Sequence, residues 1–434
     1  MEQSPKLRPL NWIGDQRFRT IFVFGMASGL PASLVFATLS IWLREEGLSR
    51  TAIGFMGAVA TPYAINFLWA PIIDRVGLGL LGRRLGKRRS WIFLCQMFLV
   101  VAVFMMAVQK PDNSLYLLGF SALLVSFLSA TQDIAIDAYR IEILSEEEFG
   151  IGSAIAIYGW HTGAFITGAG ALYVATFGGW MLAYLSAAIF IGVISIITLF
   201  VREPIHSAAS TETADDILDW LKKAALLPVA DFVTRFGWLA VVILLVIIFY
   251  KFGDAMLGRM AGVFYIDLGF TKIEIANYTK SIGVLATLTG VAVGGWVCIK
   301  IGTMQALFVG GILMMVTNFS FALLAIGAKE VGILGIVVFC DNFTGGMATT
   351  AFVAYLSSLC NKTYTATQYA LLASIGNFAR IQLGSLSGSF VDILDGNWAL
   401  FFLGVGAMSI PALILLLLLT RSVSTIRFEV KPPK

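Results

Sequence analysis

Charged residues are scarce in this sequence. Asp, Glu, Lys and Arg make up only 13% of its 434 residues, against roughly 25% in an average soluble domain. A soluble chain of this length would be expected to form two or three domains with polar surfaces, which this composition cannot supply. The sequence therefore excludes an ordinary soluble protein.

Signatures of enzymes and cofactor sites are also missing. The sequence has no paired His/Cys metal spacing, no glycine-rich phosphate loop followed by Lys-Ser/Thr, and no polar stretch long enough for an ATPase domain. Its four cysteines form no CxxC pair, so we expect free thiols. A net charge of +4 is too small to suggest nucleic-acid binding. We expect neither catalysis nor a cofactor or metal, so any uphill work would draw on an ion gradient.

Long apolar runs fill most of the chain. Their length, about 20 to 25 residues, suits a hydrocarbon core of ~30 Å. They lack the alternation of barrel strands, so helices must satisfy the backbone in lipid. The first run is too long for the core of a signal peptide and is expected to be retained. The prediction is an all-α membrane protein of twelve helices, near 20–43, 52–73, 90–108, 115–139, 150–174, 179–201, 238–265, 274–299, 303–327, 331–357, 366–391 and 398–420.

Basic residues accumulate in alternate loops. With the N-terminus inside, the outside loops hold only Arg44, Arg50, Lys110, Lys272 and Lys329, and all other loop Lys and Arg residues lie inside. This imbalance predicts that both termini are cytoplasmic.

The longest polar stretch lies at the midpoint and divides the chain into two sets of six helices. Apolar residues at 217, 218, 221, 224 and 225 suggest an amphipathic interfacial helix or a plain linker helix. Residues 69–77 and 294–302 resemble each other, as duplicated halves would, which favours a central cavity at their interface. The predicted organisation is an N-terminal tail (1–19), a first half (20–201), a linker (202–237), a second half (238–420) and a C-terminal tail (421–434).

Several acidic residues fall inside predicted helices, where burying a charge costs at least ~2.5 kcal/mol. Asp133 and Asp137 share one face of the fourth helix. Asp133 and Asp341 have no basic neighbour one turn away, so each must find a cation on another helix or hold a proton. A buried carboxyl that exchanges a proton is the requirement for proton coupling. The proton-coupling candidates are Asp133, Asp137, Asp254 and Asp341.

Structural alternatives stay open for several of these residues. Lys251 and Asp254 could form an ion pair, and Asp137 could face water or pair with Arg140. Packing alone explains a neutral His161 as well as a proton relay does. The candidates for substrate binding, by polarity or by aromatic stacking on sugars, are Ser28, Tyr63, Gln132, Tyr139, Trp160, His161, Lys251, Asn342, Asn377 and Arg380.

Two sets of motifs carry a resemblance to known transporters. Asp74-Arg75, followed after an insertion by Gly82-Arg83-Arg84, resembles the loop signature of the major facilitator superfamily. This resemblance implies that Asp74, Arg75, Arg83 and Arg84 belong to a gating loop. The sequence resembles the muropeptide permeases more specifically at 25–31, 67–71, 129–134, 250–255, 345–354, 359–362 and 366–372.

The resemblance implies an activity and a location. It implies that the protein imports anhydro-muropeptides across the bacterial inner membrane for peptidoglycan recycling. We expect a monomer surrounded by membrane lipids. The proton motive force would drive import, and the cargo would feed β-lactamase induction. His161 stands where the family is expected to have an arginine, so this chain departs from the family at the predicted fifth helix. A transporter of another sugar or acyl metabolite, or a membrane signal transducer, remains an alternative.

Overall fold

The computed structural model describes residues 14–47, 56–109, 115–204, 217–270, 274, 278, 282–327 and 329–429. Within these ranges, the side chains at 36, 37, 44, 57, 58, 217–225, 259, 379–385 and 421–429 lie outside the description. Every regular element in the described ranges is helical. The chain folds into two compact units: an N unit of 1–145, 155–224 and 362–370, and a C unit of 146–154, 225–361 and 371–434. Each unit thus includes one short segment from the other half of the sequence.

The N unit is built mainly from long helices and one divided span. Its helices are α1 (Gln16–Ser33), α2 (Leu39–Glu45), α3 (Thr61–Ile65), α4 (Ala70–Arg75), α5 (Gly79–Leu85), α6 (Lys87–Ala107), α7 (Leu115–Ile143), α8 (Phe149–Phe165) and α9 (Ala171–Phe200). The first residues of α8 belong to the C unit. The linker helix α10 (Ile217–Phe236) follows, within the predicted linker, and its apolar positions at 217–225 lie outside the described side chains.

The second predicted span is a series of short helical segments. Pro62 and Pro71 each lie in the first turn of a new helix, α3 and α4. Proline has no N–H to donate, so it fits the first turn of a helix and breaks a helix interior. The sequence predicts one continuous helix at 52–73, whereas the described part of this span is divided at these prolines.

Glycines allow α1 and α8 to cross in close contact. A Cβ atom at Gly25 or Gly29 would overlap the carbonyl oxygen of Ala156 or Trp160 on α8. Gly159 and Gly163 meet the backbone of α1 in the same way. Small residues four apart are the usual basis of such approaches in membrane helices. The helix that carries Ser28 is therefore fixed against the helix that carries Trp160 and His161.

Beyond this crossing, both helices widen into π-helical turns. Leu34–Thr38 separates α1 from α2, and Ile166–Gly170 separates α8 from α9. The Thr38 hydroxyl donates to the Thr167 carbonyl at 2.9 Å, and the Thr167 hydroxyl donates to the Leu30 carbonyl at 2.7 Å. These buried hydroxyls join the two π turns.

The C unit, like the N unit, consists of long helices, some of which are interrupted. Its helices are α11 (Leu239–Tyr250), α12 (Phe252–Asp267), α13 (Gly283–Ile301), α14 (Thr303–Ile326), α15 (Val331–Leu359), α16 (Thr365–Ser385), α17 (Ser387–Ile393), α18 (Trp398–Ala407) and α19 (Ile410–Glu429). The first residues of α16 belong to the N unit. Lys251 separates α11 from α12, and an aromatic cluster that includes Phe264, Phe321 and Phe402 packs α12 against α14 and α18.

Eight helical stretches in the described ranges are long and apolar enough to cross a membrane. One of them, 146–200, contains Gly179 at φ 76°, in the left-handed region that favours glycine. This break coincides with the start of the sixth predicted helix. The predicted spans at 20–43, 52–73 and 366–391 are not among the eight. In the described ranges, a π turn interrupts the first of these spans and 3₁₀ turns interrupt the second.

Candidate functional site

The N unit brings Ser28 and Asp133 into direct contact. The Ser28 hydroxyl on α1 donates to the Asp133 carboxylate on α7 at 2.6 Å, a length typical of a charge-assisted hydrogen bond. Asp133 lies ten residues before α7 ends at Ile143, which is about 15 Å along the helix. Both side chains are partly buried. Among the side chains that the structure describes, no Lys or Arg forms an ion pair with Asp133.

Neighbouring residues of α7 fix the helix rather than face open space. The Gln132 amide donates to the Ala27 carbonyl at 2.9 Å, next to Ser28, and Gln132 is fully buried. The Trp69 indole donates to the Thr131 hydroxyl at 3.0 Å. Gln132 thus ties α7 to α1, and its predicted contact with a substrate stays a prediction.

Asp137 and Tyr139 have partners near the end of α7. Arg140 donates to Asp137 at 3.0 Å, so the structural pairing considered for Asp137 is present. The Tyr139 hydroxyl donates to the Arg202 carbonyl at 2.7 Å, and the Tyr139 side chain is buried. Of the two acids on this face of α7, only Asp133 is without a described cation.

The remaining candidates of the N unit lie on α3 and α8. Trp160 is 39% exposed, and its ring meets the His161 ring edge to face at 5.2 Å between centroids. His161 and Tyr63 are both partly buried. The α8 pair presents an aromatic face and a ring nitrogen in the same span.

The C unit brings Lys251 and Asp254 together at the break between α11 and α12. The Lys251 ammonium donates to the Thr349 hydroxyl at 2.8 Å and to the Asp254 carboxylate at 3.5 Å. It also lies 6.0 Å from the centre of the Phe352 ring. The predicted ion pair is therefore present but long, and the shorter contact of the ammonium is with a neutral hydroxyl.

Asp341 and Asn342 follow each other on α15, with different surroundings. Asn342 donates to the Val338 carbonyl at 2.8 Å and accepts from the Thr287 hydroxyl at 3.3 Å. Asp341 is partly buried, and its carboxylate makes no hydrogen bond or ion pair with a described residue. Asn377 is exposed on α16, and the Arg380 side chain lies outside the described part.

The predicted gating residue Asp74 holds the first turn of α16. Its buried carboxylate accepts from the Thr367 amide and hydroxyl, both at 2.7 Å, and from the Ala366 amide at 3.2 Å. The amides at a helix N-terminus carry partial positive charge and lack helical acceptors. All of these residues belong to the N unit. Asp74 therefore anchors the start of α16.

Arg88 and Glu142 complete this cluster and were not among the predicted residues. Arg88 is 1% exposed and donates to Asp74 at 2.8 Å and to Glu142 at 2.5 Å. The signal in the sequence was Glu142, an acid at the end of a membrane helix, together with the basic run 87–89. Arg83 and Arg84, by contrast, are exposed on α5, and Arg75 is partly buried.

Comparison with known proteins places the chain in a family. The sequence profile of the Major Facilitator Superfamily matches residues 21–382. The chain is 38% identical to the "Putative transporter AmpG 4" of Rickettsia felis, over 94% of this chain and 98% of that protein. It is 37% identical to the "Anhydromuropeptide permease" of Escherichia coli K12, over 92% of this chain and 79% of that protein.

A solved structure supports the fold alone. The human organic anion transporter MFSD10 superposes with a TM-score of 0.70 at 16% identity, covering 92% of this chain and 99% of that one. The fold class inferred from the sequence is thereby confirmed. The chain is a multi-pass membrane protein that belongs to the AmpG family of the major facilitator superfamily.

Proposed function

We propose that this protein is a proton-coupled importer of anhydro-muropeptides in the bacterial inner membrane. The observation that carries the proposal is Asp133, a carboxyl on a membrane helix whose described partner is the neutral Ser28 hydroxyl. The name of the Escherichia coli relative supports the choice of cargo. Both termini would be cytoplasmic, and delivery of cargo to the cytoplasm would precede β-lactamase induction.

The chemistry of Asp133 suits a proton carrier. An unpaired carboxylate inside a membrane protein is costly, and taking up one proton removes the charge. Protonation would therefore favour whichever conformation buries Asp133 more deeply. One charge moved through ~100 mV supplies about 2.3 kcal/mol, or about 50-fold accumulation. A single proton thus suffices in principle.

Lys251 in the C unit and Trp160 in the N unit each have chemistry that suits a cargo of sugars and acidic peptides. The Lys251 ammonium can bind a carboxylate, because its described contacts are one hydroxyl and one long ion pair. Trp160 in the N unit has an exposed ring that can stack on a sugar. Asp341 is a second carboxyl without a described cation and is the alternative proton site.

Transport of radiolabelled N-acetylglucosaminyl-anhydro-N-acetylmuramyl peptide into energised vesicles tests the proposal. We expect wild-type vesicles to accumulate the label, and a protonophore to collapse the accumulation. Asp133→Asn should lose uphill uptake while it keeps exchange of internal for external cargo. Asp137→Asn is the matched control, since Asp137 has a cation partner on the same face of α7.

Two results would contradict parts of the proposal. Unchanged uphill uptake by Asp133→Asn would remove this residue from proton coupling. Absence of both binding and uptake of the label by the wild-type protein would exclude the cargo and favour another sugar or acylated metabolite.

A further inference from the structure

A cavity opens at the end of the N unit where α1 begins and α7 and α9 end. Its volume is about 560 Å³, within the ~300 to 1,000 Å³ typical of small-molecule sites. Residues from all three helix ends line it, together with Lys362 from the segment just before α16. This cavity is separate from Ser28 and Asp133, which do not line it.

The carboxylates of the cavity are all engaged by neighbouring groups. Asp15 accepts from the Arg17 side chain at 2.8 Å and caps α1. Glu142 pairs with the buried Arg88. Glu203 accepts from the backbone amides of Arg88 and Arg89 at 2.7 and 3.0 Å. Neighbouring groups of the protein therefore compensate the negative charge of these carboxylates.

Two cations that line the cavity, Arg202 and Lys362, have no such partners among the described residues. Arg202 and Lys362 are exposed, and neither side chain makes a hydrogen bond or ion pair with any residue that the structure describes. Tyr139 holds the Arg202 carbonyl through its hydroxyl, which fixes the backbone of Arg202 at the cavity wall. Two uncompensated cations at one concave site attract an anion.

We propose that this cavity binds a small organic anion through Arg202 and Lys362. The chemistry that fits is a phosphate or carboxylate group, whose oxygens accept two charge-assisted hydrogen bonds from the Arg202 guanidinium. Ile143, Leu144 and Pro204 supply apolar wall for the body of the ligand. The anion can come from solution or from the headgroup of an anionic lipid.

Occupancy has a consequence for the neighbouring anchor. Lys362 precedes α16 by three residues, and Asp74 holds the first turn of that helix. An anion that bridges Lys362 and Arg202 would hold the start of α16 by a second set of contacts, in addition to those of Asp74. Binding would therefore stabilise the folded N unit and oppose release of the start of α16.

The test uses the full-length protein in phosphatidylcholine nanodiscs, monitored by the thermal shift of tryptophan fluorescence. Inorganic phosphate is titrated against chloride at constant ionic strength. We expect a saturable rise in apparent Tm for the wild type, and at least tenfold weaker binding for the double variant Arg202→Gln/Lys362→Gln. Lys300→Gln, which removes an exposed cation of the C unit, should respond like the wild type.

A second arm separates the two sources of the anion. Nanodiscs that contain phosphatidylglycerol replace free phosphate, with the same three proteins. A rise in Tm that the double variant loses supports the proposal whichever source produces it. No rise with either source, or an equal rise in all three proteins, would overturn it. Neither readout depends on transport, so failure here would leave the proposed import activity standing.

Discussion

The hydroxyl of Ser28 lies 2.6 Å from the carboxylate of Asp133, which joins α1 to α7 at the acid itself. The Gln132 amide repeats the link one residue earlier, on the carbonyl of Ala27. The position of Asp133 is therefore set by α1, which in turn packs backbone to backbone on α8. A movement of α1 relative to α7 would therefore change the hydrogen bond that Asp133 accepts from Ser28.

Removing the Ser28 hydroxyl should impair transport more than folding. Ser28→Ala deletes a hydrogen bond to a charged group, which is worth about 1.5 to 3 kcal/mol. We expect vesicle uptake of muropeptide to fall at least tenfold while exchange of cargo persists. Ser28→Thr keeps the hydroxyl and should restore most of the uptake. Equal uptake by wild type and Ser28→Ala would show that this contact has no role.

Lys251 should matter for cargo binding more than its acidic neighbour does. Lys251→Met removes the ammonium, and we expect the KM for uptake to rise at least tenfold. Asp254→Asn breaks only a 3.5 Å contact, so its KM should change less than threefold. Lys251→Arg keeps the positive charge but changes its geometry, so its KM would show whether charge alone is enough. If Asp254→Asn raised the KM more than Lys251→Met does, Asp254 rather than Lys251 would be the residue that matters for cargo binding.

The close crossing of α1 and α8 predicts which glycine the fold cannot replace. Gly29→Ala would drive a methyl group into the Trp160 carbonyl, and overpacking of this kind costs about 1 to 3 kcal/mol. Gly192→Ala is the control, because its nearest neighbour is Val100 at 3.8 Å. Apparent Tm and the yield of monodisperse protein should fall for Gly29→Ala alone. Comparable losses in both variants would point to helix flexibility as the cause.

The buried cluster around Arg88 predicts an order of severity. Arg88→Leu leaves two carboxylates without their shared cation, and loss of one partner of a buried pair costs about 3 to 5 kcal/mol. Glu142→Gln keeps the Asp74 pair and should be milder. Arg84→Gln changes an exposed residue of α5 and should leave apparent Tm unchanged. Thermal unfolding in detergent would measure all three, and a destabilised Arg84→Gln would contradict this ranking.

Asp15 predicts a dependence of stability on pH. Burial tends to raise the pKa of Asp15, but hydrogen bonds and charge from Arg17 outweigh it and hold the pKa below its ordinary value. A lowered pKa stabilises the fold above about pH 4 and ceases to do so as the pH falls through the folded value. Asp15→Ala should therefore be destabilised at pH 7, by ~1 kcal/mol for a lost helix cap. Its deficit in apparent Tm should shrink towards pH 3, whereas Asp15→Asn, which still caps, should lose less at pH 7.

The apolar helices and the charged residues within them could be predicted from the sequence, because a membrane imposes a fixed span length and makes buried charges rare. Apolar runs have the length of a bilayer, and a charge within one stands out against them. Asp133 could be singled out on this ground, and the structure leaves it without a described cation. The break at Gly179 was also visible, because two spans had to be separated there.

Partners across helices could not be read in the same way. Nothing in the spacing of residues 28 and 133 shows that α1 meets α7 at these two positions. Arg88 looked like one of several loop cations, since its burial depends on Glu142 and Asp74 arriving from other segments. The interruption at Lys251 was hidden too, because a residue that leaves the helical conformation by a few tens of degrees does not alter the apolar run around it.

The matched π turns of α1 and α8 make the register of these two spans unusually sensitive to chain length. A π turn accommodates one more residue than an α turn, and each residue rotates a helix by about 100°. Deleting one residue from Leu34–Thr38 would let the span run on as an uninterrupted α-helix and swing α2 around its axis. Trp42, which stacks on Trp180 at 5.9 Å, would then point to a different side. Among relatives of this chain, a one-residue gap in this segment should accompany loss of that tryptophan pair.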